Sequence, residues 1–404
     1  MLRRNPKPTA FLTILAVSFL GVAACDGDRS SPTGTDPAVE SLSTEFTGAQ
    51  AAASSQAFLR LYSRNVFVGA STRPLFEIDF SQFPANIGEV VAAAQLFWGE
   101  VKTTDFTARA EGLADEIAAT LPHVVGLNEV AAFAVIDLAT GQPVEGIDFL
   151  TVLTNALAAR GLDYTVRIDQ PATASQLPYA LGPTGVTQIL TFQLGDAVLV
   201  RGDVQVTDQA NALYAVGLDL GPVQVGRGWS RVSFPFQGVT HHVVVTHLEQ
   251  QFLLPIQNAQ ATELIDGVLA GLEGPTFVMG DLNSDAINGP GAPSWTPTYG
   301  RLLDAGFVDP WIEKAGRATV GETCCWDDDL IGGVLDQRID FILVRAPDAE
   351  VAGDGGPNAL TGAIQMELFG DEESDRIPSL GIFPADHAGL FGAFNLPRGR
   401  IAQR

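Results

Sequence analysis

The chain has 404 residues, with 23 Lys and Arg against 47 Asp and Glu, and a formal net charge of −24 at pH 7. So acidic a chain repels polyanions, which argues against tight nonspecific binding to duplex nucleic acid unless a basic groove or bound cations offset the charge. Its three cysteines are too few for a fold that depends on disulfides, so a hydrophobic core has to provide the stability.

The N-terminus has the features of an export signal. Three basic residues among the first seven precede an uncharged apolar run over 10–24, which is too short to cross a membrane comfortably, since a transmembrane helix needs roughly 20 apolar residues. The tetrapeptide Val22-Ala23-Ala24-Cys25 resembles a bacterial lipobox, in which the cysteine is acylated and becomes the new N-terminus. The alternative is an ordinary cleaved signal in which Cys25 is incidental.

The composition predicts the organisation of the rest of the chain. Residues 26–45 are rich in Ser, Thr, Gly, Pro and Asp without an apolar period, which is typical of a flexible tether. Residues 53–397 contain no comparable break and no internal repeat. We therefore expect a lipoprotein signal peptide over 1–24, a tether over 25–52 and one domain over 53–397. The protein would be exported and lipid-anchored to a bacterial membrane, facing the periplasm or the exterior, and we infer no protein partner.

Short apolar runs bounded by turn residues predict the strands of this domain. In chain order they cover 59–68, 124–130, 164–168, 197–200, 241–247, 276–280, 339–344 and 390–394. Helical periodicity links Leu113, Ile117 and Leu121, recurs over 149–157 and runs over 255–272. Because strands alternate with helices, yet some strand pairs are too close for a helical crossover, the pattern indicates a mixed α/β architecture.

Polar residues stand at the ends of these apolar strands. A carboxylate such as Glu129 is costly in an apolar strand unless it is paired or coordinates a cation. Taken alone, Glu129 is compatible with either a metal ligand or a salt bridge at the rim. The full set consists of Asn65, Asn128, Glu129, His247, Asp281, Asn283, Asp340, Asp386 and His387.

The order of these segments resembles the endonuclease/exonuclease/phosphatase superfamily, which has the deoxyribonuclease I-like fold. The strongest marks are Gly280-Asp281-Leu282-Asn283 and Asp386-His387, followed by Gly126-Leu127-Asn128-Glu129-Val130 and Arg64-Asn65-Val66. The resemblance covers nearly the whole chain after the tether. It implies a mixed α/β fold, a four-layer sandwich of two packed mixed β-sheets flanked by helices.

The sequence departs from the family pattern in three places. Asn128 stands where the family commonly has Gln, and Ala385 stands where it often has Ser before the final Asp-His. The segment 66–128 between Asn65 and Glu129 is 63 residues long, longer than usual. This insertion, which includes Phe97-Trp98, is either a roof over the active site or a packed surface excursion.

The resemblance implies a Mg²⁺-dependent phosphoesterase that would also accept Mn²⁺. Glu129, with Asn65 alongside and Asp386 at a second position, would bind the metal, because Mg²⁺ prefers oxygen ligands and keeps several waters. No dense cage of protein ligands is needed.

The same resemblance implies the catalytic roles. His387 would be the general base and Asp340 would orient its ring, while Asp281 and Asn283 would hold the water and the phosphate oxygens. His247 would donate to an oxygen that gains negative charge in the transition state. In another version of the family mechanism Asp281 itself takes the proton of the water, and the sequence leaves both versions open.

The substrate is predicted only as a class. We expect hydrolysis of phosphodiester bonds by a nonspecific extracytoplasmic nuclease or phosphodiesterase. A sphingomyelinase-like or inositol-phosphate-like phosphoesterase is the alternative, and a noncatalytic binding protein is a remote one. The substrate would thus be a nucleic acid, a phospholipid headgroup or a small phosphoester. Arg227, Trp229 and Arg231 are close enough in sequence to contact a phosphate backbone together.

Two further features have open interpretations. The adjacent cysteines Cys324 and Cys325 are either a vicinal disulfide or two free thiols. The acidic triplet 327–329 that follows them is either a solvated loop or a Ca²⁺ site.

The lipobox motif generates a prediction about Cys25. Cys25→Ser should stop lipid attachment, leaving a precursor or a soluble form, because the thiol is the acylated group. Mass spectrometry of the wild-type protein, expressed in a bacterial host that processes lipoproteins, should find acyl chains on Cys25. A wild-type protein without that added mass would contradict the prediction.

Overall fold

The computed structural model describes residues 58–315, 320–346 and 364–395, which all fall in one compact unit. The predicted signal peptide, the lipidation site Cys25 and the tether lie outside the described residues. The limits of the predicted domain, 53 and 397, lie outside them too, so this division of the chain stays a prediction. In the described ranges, no helix is both long enough and apolar enough to cross a membrane.

Strands dominate the described part of the chain. In chain order they are β1 (Leu59–Asn65), β2 (Val124–Asp137), β3 (Pro143–Asp148), β4 (Tyr164–Gly182), β5 (Gly185–Arg201), β6 (Asp208–Leu213), β7 (Leu218–Asp219), β8 (Val223–Val225), β9 (Gly228–Phe236), β10 (Val239–Thr246), β11 (Thr276–Asp281), β12 (Cys324–Trp326), β13 (Gly333–Gln337), β14 (Asp340–Arg345), β15 (Ile364–Phe369) and β16 (Gly389–Phe394).

Helices lie between these strands. They are α1 (Arg73–Phe76), α2 (Ile87–Thr103), α3 (Phe106–Thr120), α4 (Phe149–Ala159), α5 (Leu254–Thr262), α6 (Thr298–Asp304) and α7 (Pro310–Ala315). A π-helix (Glu263–Leu269) continues α5, and short 3₁₀ turns cover Phe80–Gln82, Gln251–Leu253 and Glu373–Asp375.

Two mixed sheets carry the fold. The larger sheet has the order β15-β16-β1-β2-β5-β4-β8-β7, with β3 paired to β2, and the smaller has the order β14-β11-β10-β9-β6. Each contains one parallel pair, β1 with β2 and β10 with β11, while the other pairs are antiparallel. The strands β12 and β13 form a separate hairpin.

Three apolar clusters separate four layers. Successive side chains of a strand point to opposite faces, so Val243 and Val245 of β10 enter the cluster between the sheets, whereas Val244 faces the helical side. Helices α2, α3 and α4 pack on the outer face of the large sheet, and α5 with the π-helix and α6 packs on the small one. Because both faces of these strands are buried, the strands read as continuous apolar runs. The predicted four-layer mixed α/β sandwich is confirmed.

Helix α3 shows how local sequence sets an element. Its buried residues recur every three or four positions, from Phe106 through Ala110 and Leu113 to Ile117. The carboxylate of Asp105 caps the first turn by accepting from the backbone of Ala108 at 3.3 Å. The helix ends at Thr120, and the next residue, Leu121, has a left-handed φ of 46° and precedes a proline.

Each of the eight predicted strands exists, but three of them are much longer than predicted. Strands β2, β4 and β5 extend into a long antiparallel arm, with the β4–β5 register running from Tyr164↔Arg201 to Gly182↔Gly185. The prediction missed the outer part because exposed positions and polar residues there interrupt the apolar runs. It also missed α2.

The insertion 66–128 supplies α2 and α3, two of the three helices that cover the large sheet. Phe97 and Trp98 of α2 are buried and pack on Phe133, with ring centroids 5.8 and 5.2 Å away. These two aromatic residues are therefore part of the core, as in the packed alternative, and do not roof the site.

The close approach of the two sheets generates a prediction. An added Cβ at Gly126 in β2 would lie 2.6 Å from Met279 Cε and 2.7 Å from a methyl group of Val245. Gly126→Ala should therefore lower the free energy of unfolding by about 1–3 kcal/mol, because overpacking forces shifts in a filled core and a valine side chain is stiff.

Urea denaturation provides the measurement. Gly99→Ala in α2 is the matched control, since nothing lies within 4 Å of its added Cβ and Ala favours a helix interior by up to about 1 kcal/mol. Equal stability of the two variants would contradict the predicted packing between the sheets.

Candidate active site

One edge of the sandwich collects the polar residues at the strand ends. Strands β1, β10 and β11 end at this edge, β2 has a bulge there before it continues, and the antiparallel strands β14 and β16 begin there. The pairing of β11 with β14 sets Asp281 directly opposite Asp340. The structure thereby brings together Asn65, Glu129, His247, Asp281, Asn283, Asp340, Asp386 and His387.

Glu129 is aimed into the site by a β-bulge in β2. The register with β5 shifts between Leu127 and Val130, and Glu129 has a left-handed φ of 59°, a combination that re-aims a side chain at functional sites. Its Oε1 accepts from Asn65 Nδ2 at 3.1 Å, and its Oε2 accepts from the backbone of Val68 at 2.9 Å. The carboxylate is therefore fixed by two neutral donors.

Asn65 presents its amide nitrogen to the carboxylates. Its Oδ1 accepts from the backbone of Phe67 at 3.0 Å, while Nδ2 also donates to Asp281 Oδ2 at 3.3 Å. In this orientation Asn65 positions two carboxylates and would have to rotate its amide to offer an oxygen to a metal. Its predicted role as a metal ligand stays a prediction.

Asp281 lies at the centre of the cluster. Its Oδ2 is 3.4 Å from His247 Nε2 and 3.9 Å from His387 Nε2, and its Oδ1 accepts from the backbone of Asn283 at 2.8 Å. Burial, with the charge of Asp340 in support, raises the pKa of Asp281 to about 7. A carboxylate destabilised in this way gains from any cation that reaches it.

His387 and Asp340 form a hydrogen-bonded pair. His387 Nδ1 lies 2.8 Å from Asp340 Oδ2, so Nε2 is the ring nitrogen that points at Asp281. Burial lowers the pKa of His387, but the carboxylates of Asp340 and Asp386 outweigh burial and hold this pKa well above its usual range.

The two arginines that are near Asp340 in the sequence pair with other groups. Arg338 pairs with Asp309 at 2.6 Å, and Arg345 donates to the carbonyl of Leu269. Asp340 therefore serves the imidazole of His387 and makes no salt bridge with either arginine.

His247 is held neutral beside Arg227. The guanidinium nitrogen Nη1 of Arg227 lies 2.8 Å from His247 Nδ1 and 3.2 Å from His247 Nε2, and His247 Nε2 lies 3.4 Å from Asp281 Oδ2. Burial, Arg227 and His387 together hold the pKa of His247 well below its usual range. The amide of Asn283 contacts Nε2 at 3.1 Å. His247 thus turns Nε2 toward Asp281 at the centre of the site.

Asp386 reaches the site beside His387 with an unused oxygen. In the part of the chain that the structure describes, Asp386 Oδ1 and Asp340 Oδ1 are buried without a hydrogen-bond partner. Burial raises the pKa of Asp386 to about 7, and Glu129 and Asp328 add to the rise. Buried carboxylate oxygens without donors are ones that a cation would satisfy.

These groups fit a divalent cation. Ligand atoms of Asp281, Asp340 and His387 all lie within 4.8 Å of one another, and Glu129 and Asp386 add two more carboxylates. Such an oxygen-rich set suits Mg²⁺ or Mn²⁺.

Asn128 ties the two sheets together under the site. Its Oδ1 accepts from the backbone of Asp281 at 3.0 Å, and its Nδ2 donates to Asp196 at 2.7 Å. Asn128 belonged to the motif that marked the resemblance, whereas nothing in the sequence singled out Asp196. The substitution of Asn for the more common Gln therefore retains an amide that bridges the sheets.

Two buried arginines hold the loops of the site in place through hydrogen bonds. The sequence alone assigned this role to neither of them. Arg109 of α3 donates to the carbonyls of Val66 at 2.6 Å and Pro384 at 3.2 Å, so it joins the loop after β1 to the loop before Asp386. Burial lowers the pKa of Arg109 to about 9. Arg64 pairs with Glu116 of α3 at 3.1 Å and also donates to the carbonyl of His387.

Arg227, Trp229 and Arg231 do not form one binding surface. Arg227 points into the site and pairs with Glu249 at 3.3 Å, whereas Arg231 pairs with the exposed Asp208. Trp229 packs against the apolar cluster under α5. Both arginines are therefore already paired with carboxylates, so this trio offers no free basic surface for the joint contact with a phosphate backbone that the sequence left open.

A comparison with known protein families gives one match over most of the chain. The Endonuclease/Exonuclease/phosphatase family model matches residues 94–387. No curated protein sequence matches this one.

Several solved structures are similar at low identity. Truncated TDP2 of Caenorhabditis elegans is 17% identical, with 83% of this chain and 97% of that chain covered and a TM-score of 0.45. An endonuclease/exonuclease/phosphatase family protein from Leptotrichia buccalis is 15% identical, with 83% and 98% covered and a TM-score of 0.47. A mannosyl-6-phosphatase of Bacteroides thetaiotaomicron is also 15% identical, with 83% and 98% covered and a TM-score of 0.45.

The buried Asp196 generates a prediction about pH. Burial raises the pKa of Asp196 from 3.8 to about 7, so between these values the folded chain binds the proton that the unfolded chain has lost. This contribution to the unfolding free energy therefore falls as pH rises from about 4 to about 7. Asp196→Asn keeps an oxygen for Asn128 and removes the charge, so at about pH 8 it should raise the unfolding free energy by about 1–3 kcal/mol.

Urea denaturation in EDTA at about pH 5 and about pH 8 measures this difference. Asp304→Asn, at an exposed position of α6, controls for the loss of one negative charge. If wild type and Asp196→Asn lose stability in parallel between the two pH values, Asp196 does not carry the raised pKa.

Proposed function

Because the chain belongs to the endonuclease/exonuclease/phosphatase family, we propose that it is a metal-dependent hydrolase of phosphodiester bonds. The observation that carries the proposal is the cluster around Asp281 Oδ2, where His247 Nε2 lies at 3.4 Å and His387 Nε2 at 3.9 Å. Hydrolysis of a phosphoester needs charge neutralisation, an activated water and donors for the developing charge. The cluster contains groups suited to each task.

Glu129 and Asp386 are the proposed metal ligands. Glu129 is held by neutral donors only, and Asp386 has an oxygen without a donor in the described ranges, so both have charge to offer a cation. When bound, Mg²⁺ or Mn²⁺ supplies neutralisation of the phosphate charge and lowers the pKa of water.

His387 is the proposed general base. Asp340 Oδ2 lies 2.8 Å from Nδ1 and fixes the ring. A cation bound at these carboxylates would offset the charges that raise the pKa of His387, and the neutral ring then has Nε2 free to take the proton of a water. Asp281 and Asn283 hold this water and the phosphate oxygens, while the N–H of His247 donates to the oxygen that gains charge. If Asp281 were the base instead, loss of His387 would leave the transfer of the proton from water largely intact.

The proposed substrate is a phosphodiester that does not require a broad basic surface. The net charge of −24 disfavours tight binding of duplex nucleic acid, and Arg227 in the site is already paired with Glu249 and His247. We therefore place nonspecific cleavage of single-stranded nucleic acid or small phosphodiesters first. A phospholipid headgroup is the second candidate, because the predicted lipid anchor would hold the site at a membrane outside the cytoplasm.

A substrate panel tests the proposal. The protein should be assayed with Mg²⁺ or Mn²⁺ on plasmid DNA, RNA, sphingomyelin, inositol phosphates and bis(p-nitrophenyl) phosphate, with EDTA as the control. Hydrolysis that stops in EDTA supports the proposal. Binding of a phosphoester without turnover on any member of the panel would favour a noncatalytic protein.

Glu129 generates the prediction on metal dependence. Glu129→Gln should weaken Mg²⁺ binding and lower turnover by on the order of 100-fold at limiting Mg²⁺, because it removes a charged oxygen ligand and keeps the shape. Glu145→Gln on the edge strand β3 is the control, since Glu145 pairs with Lys102 at a partly exposed position and Gln keeps an oxygen for the N–H of Trp98. Full activity of Glu129→Gln at limiting Mg²⁺ would remove Glu129 from the mechanism.

The His387–Asp340 pair generates a prediction of non-additivity. His387→Ala and Asp340→Asn should each lower kcat by on the order of 100-fold or more, and the double variant should be little worse than the worse single one, because both residues serve one proton transfer.

Thermal unfolding separates this role from a structural one. If Asp340 were only structural, Asp340→Asn would lower Tm and leave the turnover of the folded enzyme nearly intact. Simple multiplication of the two single losses in the double variant would refute the pair.

A further inference from the structure

The adjacent cysteines Cys324 and Cys325 are joined by a disulfide in β12, next to the proposed active site. We propose that this disulfide is a thiol–disulfide exchange site, and that a dithiol reductant which opens it lowers the activity of the site. The inference rests on the proposed function for its effect on turnover, but the exchange itself has its own readout.

The chain is hydrogen-bonded to the segment 386–388 on both sides of the cysteine pair. The backbone of Trp326 donates to the carbonyl of Asp386 at 2.8 Å, and the backbone of Ala388 donates to the carbonyl of Thr323 at 2.7 Å. Between these two bonds, Cys324 is the antiparallel partner of His387. The backbone position of Asp386-His387 therefore depends on residues 323–326.

The same strand also fixes the residue that orients His387. Thr323 Oγ1 accepts from the backbone N–H groups of Ile339 and Asp340, at 3.2 and 3.1 Å. A shift of residues 323–326 would consequently move both members of the His387–Asp340 pair.

The two cysteine residues differ in exposure. Cys324 is 1% exposed, whereas Cys325 lies at an exposed position. Both sulfur atoms and a ring nitrogen of His387 lie within 4.8 Å of one another. A reductant can thus reach the disulfide at Cys325. The change that affects the site occurs at Cys324, which lies beside the imidazole of His387.

A dithiol reductant supplies the two electrons and two protons that the exchange requires. One thiolate of the reductant attacks Cys325 Sγ, forms a mixed disulfide and releases the sulfur of Cys324 as a thiolate, which takes up a proton. The second thiol of the reductant then attacks the mixed disulfide, loses its proton and releases Cys325. The reductant ends as a disulfide, and the protein gains two electrons and two protons as two thiols.

Opening the bond disturbs the site because two thiols do not stay at bonding distance. Cys325 can take up part of the new separation toward solvent, and the part taken up by the enclosed Cys324 moves the neighbouring backbone or the ring of His387. A displacement of about 1 Å at catalytic groups costs on the order of 100-fold in rate. We therefore expect reduction to lower kcat by about 10-fold to 100-fold.

The test uses the full chain with Cys25→Ser, so that the pair provides the two remaining thiols. The protein is equilibrated in buffers of graded dithiothreitol redox poise, and free thiols, hydrolysis of bis(p-nitrophenyl) phosphate and the Kd for Mn²⁺ are measured together. We expect kcat to fall and Mn²⁺ binding to weaken several-fold in step with the appearance of two thiols, and both to recover on reoxidation.

Two variants keep the test specific. Cys325→Ser at the exposed position should have the activity of the reduced protein in every buffer. Cys324→Ser/Cys325→Ser should not respond to dithiothreitol, and an equal loss there would show that the reductant acts on the metal and would overturn the inference. Two thiols in the oxidised protein, or opening of the bond without any change in kcat or Mn²⁺ affinity, would overturn it too. Absence of hydrolysis in both states with a changed Mn²⁺ affinity would refute the proposed function alone.

Discussion

The structure depends on holding several carboxylates close together at one buried edge of the sandwich. Asp281 and Asp340 face each other across β11 and β14, with Glu129 and Asp386 nearby. Burying charges of the same sign costs several kcal/mol per ion. The raised pKa values of Asp281 and Asp386, each about 7, reflect that cost. A cation that binds there relieves the repulsion. The arrangement of carboxylates that lowers the stability of the fold on its own therefore favours metal binding.

A frame of neutral donors and buried arginines maintains this arrangement. Asn65 and Asn128 hold Asp281 from the larger sheet, at its side chain and at its backbone. Arg109 connects the loops after β1 and before Asp386 by donating to their carbonyls. Because α3 provides Arg109 and also Glu116, which pairs with Arg64, the long insertion is a brace for the site. Its helices contribute to the position of the catalytic groups without covering them.

Much of the fold and of the candidate site could be predicted from the sequence, for a physical reason. Strands buried on both faces read as apolar runs, so a carboxylate, amide or imidazole at the end of such a run is conspicuous, as Glu129 and Asp281 are. The long β2–β4–β5 arm could not be predicted, because its outer part has exposed positions that interrupt the apolar pattern. Arg109 was missed since only tertiary contacts distinguish a buried arginine from a surface one, and the raised pKa of Asp196 follows from its burial, to which its sequence neighbours give no clue.

The central claim is that this carboxylate cluster binds the divalent cation that phosphodiester hydrolysis requires. Anomalous diffraction from crystals soaked in Mn²⁺, at a concentration that supports turnover, tests it most directly. We expect a peak at about 2 Å from a carboxylate oxygen of Glu129, with Asp386 as a ligand or one water away. A fully active protein whose Mn²⁺ peaks lie away from Glu129 and Asp386, or that shows no peak at this edge of the sandwich, would contradict it.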